Sequence, residues 1–335
     1  MSEKTFRPML TYSDEAHYIK NPEAARTKNV KRLAMQADRL LFMTGTALEN
    51  NVDEMIALMK ILNPDVAQEA KKIAFMSAAP LFRKAVSPVY FRRKREDVLK
   101  ELPDLIENTE WCAMKAAEYA KYVETVYSRN FMAMRRVSWN VPDLKNSTKA
   151  ARMLEIIEDA KEENRKIIVF SFFLETLDTV VKVLKDKIRC MDVITGAVSP
   201  NRRQAILDEF EKAPAGTVLP AQIQSGGTGL NIQTASVVIL CEPQLKPSIE
   251  NQAVSRAYRM GQTRSVLVYR LMSEHSVDEA MLDILSRKQK EFDAFADESD
   301  AARESIELEK NEMDTRTQND IIEAEIVRIN SEKKE

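Results

Sequence analysis

Four short stretches of this 335-residue chain combine residue types that can act on a phosphoryl group. Asp14-Glu15-Ala16-His17 puts two adjacent carboxylates after the weakly strand-like Met9-Leu10-Thr11-Tyr12. At a strand end the first could hold a hydrated Mg²⁺ while the second orients or polarises an attacking water. An Asp-Glu pair by itself is most often a solvated surface feature; the full tetrapeptide is rarer. Thr44-Gly45-Thr46 closes the apolar run Leu40-Leu41-Phe42-Met43. Its hydroxyls could couple a carboxylate site to a neighbouring domain, although the tripeptide read alone is a turn. Ser225-Gly226-Gly227-Thr228-Gly229-Leu230-Asn231 holds three of only seven glycines in the chain. Glycine is otherwise scarce, about 2% against ~7% in average proteins. Its concentration marks backbone that approaches something closely or turns with positive φ, and a tight strand-to-helix turn needs the same. Last, Gln252, Arg256 and Arg259 recur at i, i+4 and i+7, one face of a helix. Two guanidiniums pointing one way form a planar donor array for phosphate oxygens, the arginine-finger role. The plain alternative is a solvent-facing basic helix.

The elements that must position these residues follow from apolar spacing. Runs of strand length alternate with helical periodicity, the pattern of an α/β fold with a parallel sheet between helices. Leu40–Met43 reads as a short strand, and Val52, Met55, Ile56, Met59 and Leu62 as a helix stopped at Pro64. A helical stretch over 115–136 ends near Trp139-Asn140-Val141-Pro142, where the chain predicts a hinge. A second α/β unit follows, with a helix over 150–163, a strand at Ile167–Phe170, and a helix carrying Leu177, Val180, Val181 and Leu184. Ser199-Pro200 predicts a helix start, with the hydroxyl as N-cap and proline at N1. Ser236–Leu240 and Val266–Tyr269 are two further core strands. Beyond Asp297 the chain is charged; Ile321, Ile322, Ile326 and Ile329 leave a partial stripe, read as a solvated helix in preference to a partner helix.

Composition narrows the function classes. Lys+Arg 50 against Asp+Glu 52 gives net −2, so any nucleic-acid surface is a local patch. Three Cys without CxxC spacing and two His exclude a disulfide scaffold and argue against a zinc site, which fits a reducing, intracellular setting. The uncharged run from Ala213 to Cys241 is broken by prolines, glutamines and glycines and is no membrane span.

The four stretches occur in one fixed order, and that order resembles the Swi/Snf-type DNA-translocase ATPases of helicase superfamily two. DEAHYIKN at 14–21 is similar to motif II, MTGTALEN at 43–50 to motif III and IIVFSFF at 167–173 to motif IV. SGGTGLN at 225–231 and QAVSRAYRMGQ at 252–262 resemble motifs V and VI. The segment from Tyr90 to Leu99, with the cluster Arg92–Arg95, is also similar to the family's, over a likeness running from about residue 9 to 293. The resemblance implies ATP and Mg²⁺ as cofactors and double-stranded DNA as partner, in the cytoplasm and nucleoid or in a nucleus. By the same resemblance Asp14 would hold Mg²⁺ and Glu15 the attacking water. Arg256 and Arg259 would meet the γ-phosphate, Gln252 would orient them, and Gly229 would lie at the nucleotide. Thr44 and Thr46 would couple nucleotide state to lobe motion; Ser225, Thr228 and Asn231 would lie by nucleotide or DNA backbone. The Arg92–Arg95 cluster would touch DNA phosphate or form a solvated turn.

One family feature is absent. No GxxxxGKT/S phosphate loop can be written with glycines only at 45, 196, 216, 226, 227, 229 and 261. The expected organisation is therefore a partial first RecA-like lobe over 1–104, a helical connection over 105–149 and a complete second RecA-like lobe over 150–295. A charged helical or disordered tail occupies 296–335. The function expected is part of an ATP-driven DNA translocase whose phosphate-loop segment, in the same or another chain, is missing here. The alternative is a non-catalytic DNA- or protein-binding remnant. A dinucleotide-binding enzyme is disfavoured because GGTGLNI lacks the third glycine of GxGxxG. Residues 150–295 should fold alone, and the first hundred or so, with an unpaired strand edge, should not.

Overall fold

A computed structural model of the chain describes residues 10–14, 16–19, 21, 23–44, 52–74, 80–91, 102–224, 232–296 and 315–332. Contacts divide the chain into two units, Met1–Lys94 with Arg287–Glu312, and Arg95–Ser286 with Met313–Glu335.

In the first unit β1 (Thr11–Ser13) and β2 (Leu40–Phe42) pair in parallel, with Thr11 opposite Leu40 and Ser13 opposite Phe42. The crossover runs through a 3₁₀ turn at Ala16–Ile19 and α1 (Ala25–Ala34). α2 (Val52–Leu62) lays Met55, Ile56 and Met59 against Ala67 and Ala70 of α3 (Pro64–Lys72) and Phe82 and Val86 of α4 (Pro80–Val86). Pro64 ends α2 as expected and also opens α3 at its first position. Asn63 Oδ1 caps that start by accepting from the amides of Asp65 and Val66. Alternation splits the small sheet into two faces. Phe42 packs with Ala16, Ile19 and Leu58. Leu10, Tyr12, Leu41 and Met43 lie on the other face, 54%, 68%, 48% and 40% exposed.

The second unit is built on five parallel strands in the order β3-β7-β6-β4-β5. These are β3 (Leu105–Cys112), β4 (Lys166–Ser171), β5 (Val218–Gln222), β6 (Ala235–Leu240) and β7 (Val266–Ser273). The helices are α5 (Ala116–Tyr127), the single turn α6 (Phe131–Met134), α7 (Thr148–Glu162), α8 (Leu174–Leu184) and α9 (Pro200–Lys212). They continue with α10 (Pro247–Val254), α11 (Val277–Ala296), which belongs to this unit through Ser286, and α12 (Thr315–Glu332). Ile167, Val169, Val237 and Ile239 face α7 and α8, whereas Ile168, Phe170, Val238 and Leu240 face α9 and α10. A sheet covered on both faces needs apolar residues at every strand position, which is why β4 and β6 read as unbroken apolar runs. Ser199 Oγ accepts from the Arg202 amide with Pro200 at the first turn, as the sequence predicts.

Several expectations change. The stretch 105–149, read as a helical connection, opens with β3, which pairs with β7 along its whole length from Leu105↔Val266 to Cys112↔Ser273. Its polar content suits an edge strand and hid it from a search for apolar runs. The predicted hinge at 139–142 is packed into the unit, with Trp139 2% and Val141 6% exposed. β5, at the other edge, contains Pro220. The flanking amides of Val218 and Gln222 point away from β4, toward Arg189 O and Ile194 O, so the proline sits where no bond to β4 is lost. The tail helix is not solvated: Ile322 and Ile329 are buried among Tyr122, Val126, Phe131, Met134, Val277 and Met281.

These corrections move the bounds of the autonomous unit. Limited proteolysis should leave a core that begins near β3 and retains α12, with residues 10–91 digested first. A stable fragment that starts at residue 150 would contradict the pairing of β3 with β7.

Candidate functional site

Asp14 is the first residue after β1, and Thr44 lies two residues after β2. Because the strands are parallel and adjacent, both residues stand at the same carboxyl edge. The Met43 amide donates to Ser13 O at 2.8 Å and the Ala16 amide to Met43 O at 2.9 Å, which locks the two strand ends together. Asp14 is exposed and Thr44 half-buried. Ligands of open α/β sheets bind outside this edge. Glu15, Thr46, Ser225, Thr228, Gly229, Asn231 and the Arg92–Arg95 cluster lie outside the described residues.

The segment 252–262 differs from its reading as one helical face. α10 ends at Val254, and Arg256 and Arg259 lie in the tight turns beyond it. The Arg256 amide donates to Ala253 O, that of Ala257 to Val254 O and that of Gln262 to Arg259 O, all i→i+3 closures. Gln252 and Arg256 are half-buried, whereas Arg259 is exposed.

A staple holds these turns. Gln262, 7% exposed, donates through Nε2 to Gln233 O (3.0 Å), Ala235 O (3.0 Å) and Ala257 O (3.1 Å). Its Oε1 accepts from the Arg264 amide at 3.1 Å. The Ile232 amide donates to Arg256 O, and Gln233 Nε2 to Met260 O. Gly261 has φ +96°, and a Cβ there would press on the Gln233 amide at 3.1 Å, so glycine is required. The backbone carrying both arginines is thus tied to the entry of β6 and to the residues that directly follow 225–231.

Comparison with known proteins bears on the same residues. The SNF2-related domain matches residues 9–167 and the helicase conserved C-terminal domain residues 148–261. The chain belongs to the SNF2 family. It is 29% identical over 304 residues to an uncharacterized ATP-dependent helicase of Mycoplasma pneumoniae, covering 82% of this chain and 29% of that protein. It is 24% identical over 393 residues to the CHD3-type chromatin-remodeling factor PICKLE of Arabidopsis thaliana, covering 95% of this chain and 28% of that protein. The chain therefore spans under a third of these curated relatives. The C-terminal part of the Fun30 ATPase domain shares its fold, with TM-score 0.55 at 15% identity, covering 68% of this chain and all of that one. The architecture is that of RecA-like lobes, parallel sheets flanked by helices.

For an SNF2 chain the implied cofactors are ATP and Mg²⁺. Among the described residues no group of three or more His, Cys, Asp or Glu could hold a metal by itself. An exposed carboxylate at a strand end suits Mg²⁺ nonetheless, because this ion takes one or two carboxylates and completes its shell with phosphate oxygens and water. Asp14 is that group among the described residues.

The SNF2 motifs do not mark the buried charges that close the carboxyl edge of the second sheet. Glu242, two residues after β6, accepts from Ser171 Oγ (2.9 and 3.0 Å) and from the Phe172 amide (2.5 Å). Burial holds its carboxyl above the usual range, against the pull of the Phe172 amide and Arg135. Arg135, lowered by its own burial, donates to Pro243 O at 2.9 Å and lies 5.7 and 5.2 Å from the ring centres of Phe172 and Phe173. Lys149 and Asp278 form an ion pair of 2.6 Å, 1% and 2% exposed. Lys149 Nζ and Trp139 Nε1 both donate to Cys241 O. Glu118 accepts from Ser138 Oγ and from the Thr148 amide and hydroxyl. In sequence these residues look like any surface charge. Among the described residues no helix is long and apolar enough to cross a membrane.

Proposed function

We propose that the chain supplies part of an ATP-driven translocase acting on double-stranded DNA, and that a separate segment supplies the phosphate loop. The observation that carries this reading is the side-by-side placement of Asp14 and Thr44 at one carboxyl edge, in a chain of the SNF2 family. In it Asp14 holds Mg²⁺ and Glu15 orients the attacking water. Arg256 and Arg259 meet the γ-phosphate and its transition state, Gln252 orients them, and Gly229 lies at the nucleotide. Thr44 and Thr46 couple nucleotide state to lobe movement, and Ser225, Thr228 and Asn231 serve nucleotide or DNA backbone. Bound ATP–Mg²⁺ supplies the phosphoryl group whose hydrolysis drives movement. The proposed first lobe lies within 1–104, and the second runs from β3 onward and includes α12, in place of a separate connection over 105–149.

The exposed face of Leu10, Tyr12, Leu41 and Met43 supports a separate phosphate-loop segment, because four apolar side chains on a two-stranded sheet need a cover. The test is ATP hydrolysis by this chain alone and after co-expression with the phosphate-loop half of lobe one from an SNF2 relative, with and without duplex DNA. The chain alone should show no appreciable turnover, and the pair should show DNA-stimulated turnover within roughly 1–10³ s⁻¹. Turnover by the chain alone that Glu15→Gln abolishes would overturn the need for a second segment. A stable pair without DNA-stimulated hydrolysis would overturn the catalytic reading.

A further inference from the structure

The tail helix α12 is attached through both apolar and polar contacts. On its apolar side Ile322 and Ile329, 2% and 1% exposed, enter a groove lined by Tyr122 and Val126 of α5, Phe131 and Met134 of α6, and Val277 and Met281 of α11. Around them the groove offers donors and the helix offers acceptors. Tyr122 Oη donates to Glu325 Oε2 at 2.7 Å, Tyr127 Oη to Asn330 Oδ1 at 2.7 Å, and Tyr119 Oη to Glu332. Arg129 pairs with Glu323 at 2.5 Å. Three tyrosines and an arginine facing three carboxylates and an amide fix both the chemistry and the register of what the groove accepts.

Two bonds carry this seat into the start of α11. The Tyr122 hydroxyl that donates to Glu325 also accepts from the Val277 amide at 2.7 Å, an orphan donor at the first helical residue. Arg328, held by Glu325 and Glu332, donates to His275 O at 2.7 Å in the turn just before it.

We propose that α12 is a releasable strap, and that the groove between α5, α6 and the first turns of α11 is a docking site for an acidic amphipathic helix, filled here by the chain's own residues 315–332. Release follows from the balance of contacts. Most of a helix's stability in a protein comes from packing its apolar face, so α12 should lose helicity when Ile322 and Ile329 leave the groove. It adds no strand to the sheet, and its contacts to Tyr119, Tyr127 and Arg129 are solvent-exposed, the class of interaction that contributes least. Such an element opens well below the free energy of global unfolding.

The experiment uses the full chain, its variant Ile322→Asp/Ile329→Asp, and a fluorescein-labelled synthetic peptide of residues 313–335. The peptide should bind the variant saturably and the wild type about tenfold or more weakly, since the resident helix competes in cis. A peptide bearing the same two aspartates should bind neither protein. Equal binding to wild type and variant, or no binding to a variant that keeps the wild-type melting transition, overturns the proposal. Hydrogen exchange on the wild type provides a readout that does not depend on the variant folding. Amides of α12 should exchange about a hundredfold or more faster than those of β4 and β6; equal protection would make α12 a fixed part of the core. A wild-type dimer in light scattering that dissociates when α12 is removed would assign the groove to a second copy's helix and overturn seating in cis.

Discussion

Arg259→Ala should lower the DNA-stimulated turnover of the reconstituted ATPase by about 10³-fold or more while leaving DNA affinity nearly intact. The expectation rests on the arginine-finger role proposed above. A finger acts on charge that develops in the transition state, so its loss appears in turnover and hardly in ground-state binding. The fold itself should tolerate the change. Arg259 is exposed, and its backbone is held through its carbonyl by the Gln262 amide, a bond that alanine keeps. Arg259→Lys should recover little, because an ammonium cannot reproduce a forked donor. ATPase assays and DNA anisotropy on wild type and both variants decide the matter. If the alanine variant keeps more than about a tenth of wild-type turnover, Arg259 belongs to a DNA-facing or structural surface instead.

Asp278→Ala should destabilise the second unit by about 3–5 kcal/mol, because it strands the Lys149 ammonium in a dry interior. Asp278 Oδ2 takes both the Lys149 Nζ at 2.6 Å and the Ser273 amide at 2.8 Å. The carboxylate thus ties α7, the end of β7 and the start of α11 at one atom. For a unit of this size the loss amounts to roughly 10 °C in melting temperature. Adding Lys149→Met to the alanine variant should return much of it, since removing both charges removes the uncompensated one. Thermal unfolding of the two single variants and the double variant measures the coupling directly. A single variant within about 1 kcal/mol of wild type would mean that water reaches the pair.

The motifs proposed for the site could be picked out of the sequence because their signals are local. The carboxylate pair, the Thr-Gly-Thr turn, the glycine cluster and the arginine pair are contiguous in the chain. Each sits where a periodic apolar segment begins or ends. The reading of 252–259 as one helical face failed for a reason that spacing does not contain. Helical periodicity continues past Val254, but the helix ends there, and Gln262 Nε2 donates to the carbonyls of Gln233 and Ala235 as well as Ala257, which ties the turns beyond it to the entry of β6. Glu118, Lys149, Glu242 and Asp278 were invisible as site-forming residues because a charge acquires its meaning from burial, which is set by elements far apart in sequence.

By itself the sequence determined the family, the α/β alternation, the central strands β4 and β6, and the helix start at Ser199-Pro200. All of these depend on residues within a few positions of one another: a motif, an unbroken apolar run, a cap followed by proline. Only the tertiary structure decided that β3 completes the second sheet, that Pro220 is harmless in β5, and that α12 is seated. An edge strand with Glu107, Asn108 and Glu110 becomes a strand when β7 offers it a ladder. A proline becomes tolerable when its missing amide faces away from the neighbouring strand. The stripe of Ile322 and Ile329 specifies that a helix has an apolar side and leaves its partner open. The tyrosines of α5, some two hundred residues earlier, supply that partner, and no local pattern records a contact over such a separation.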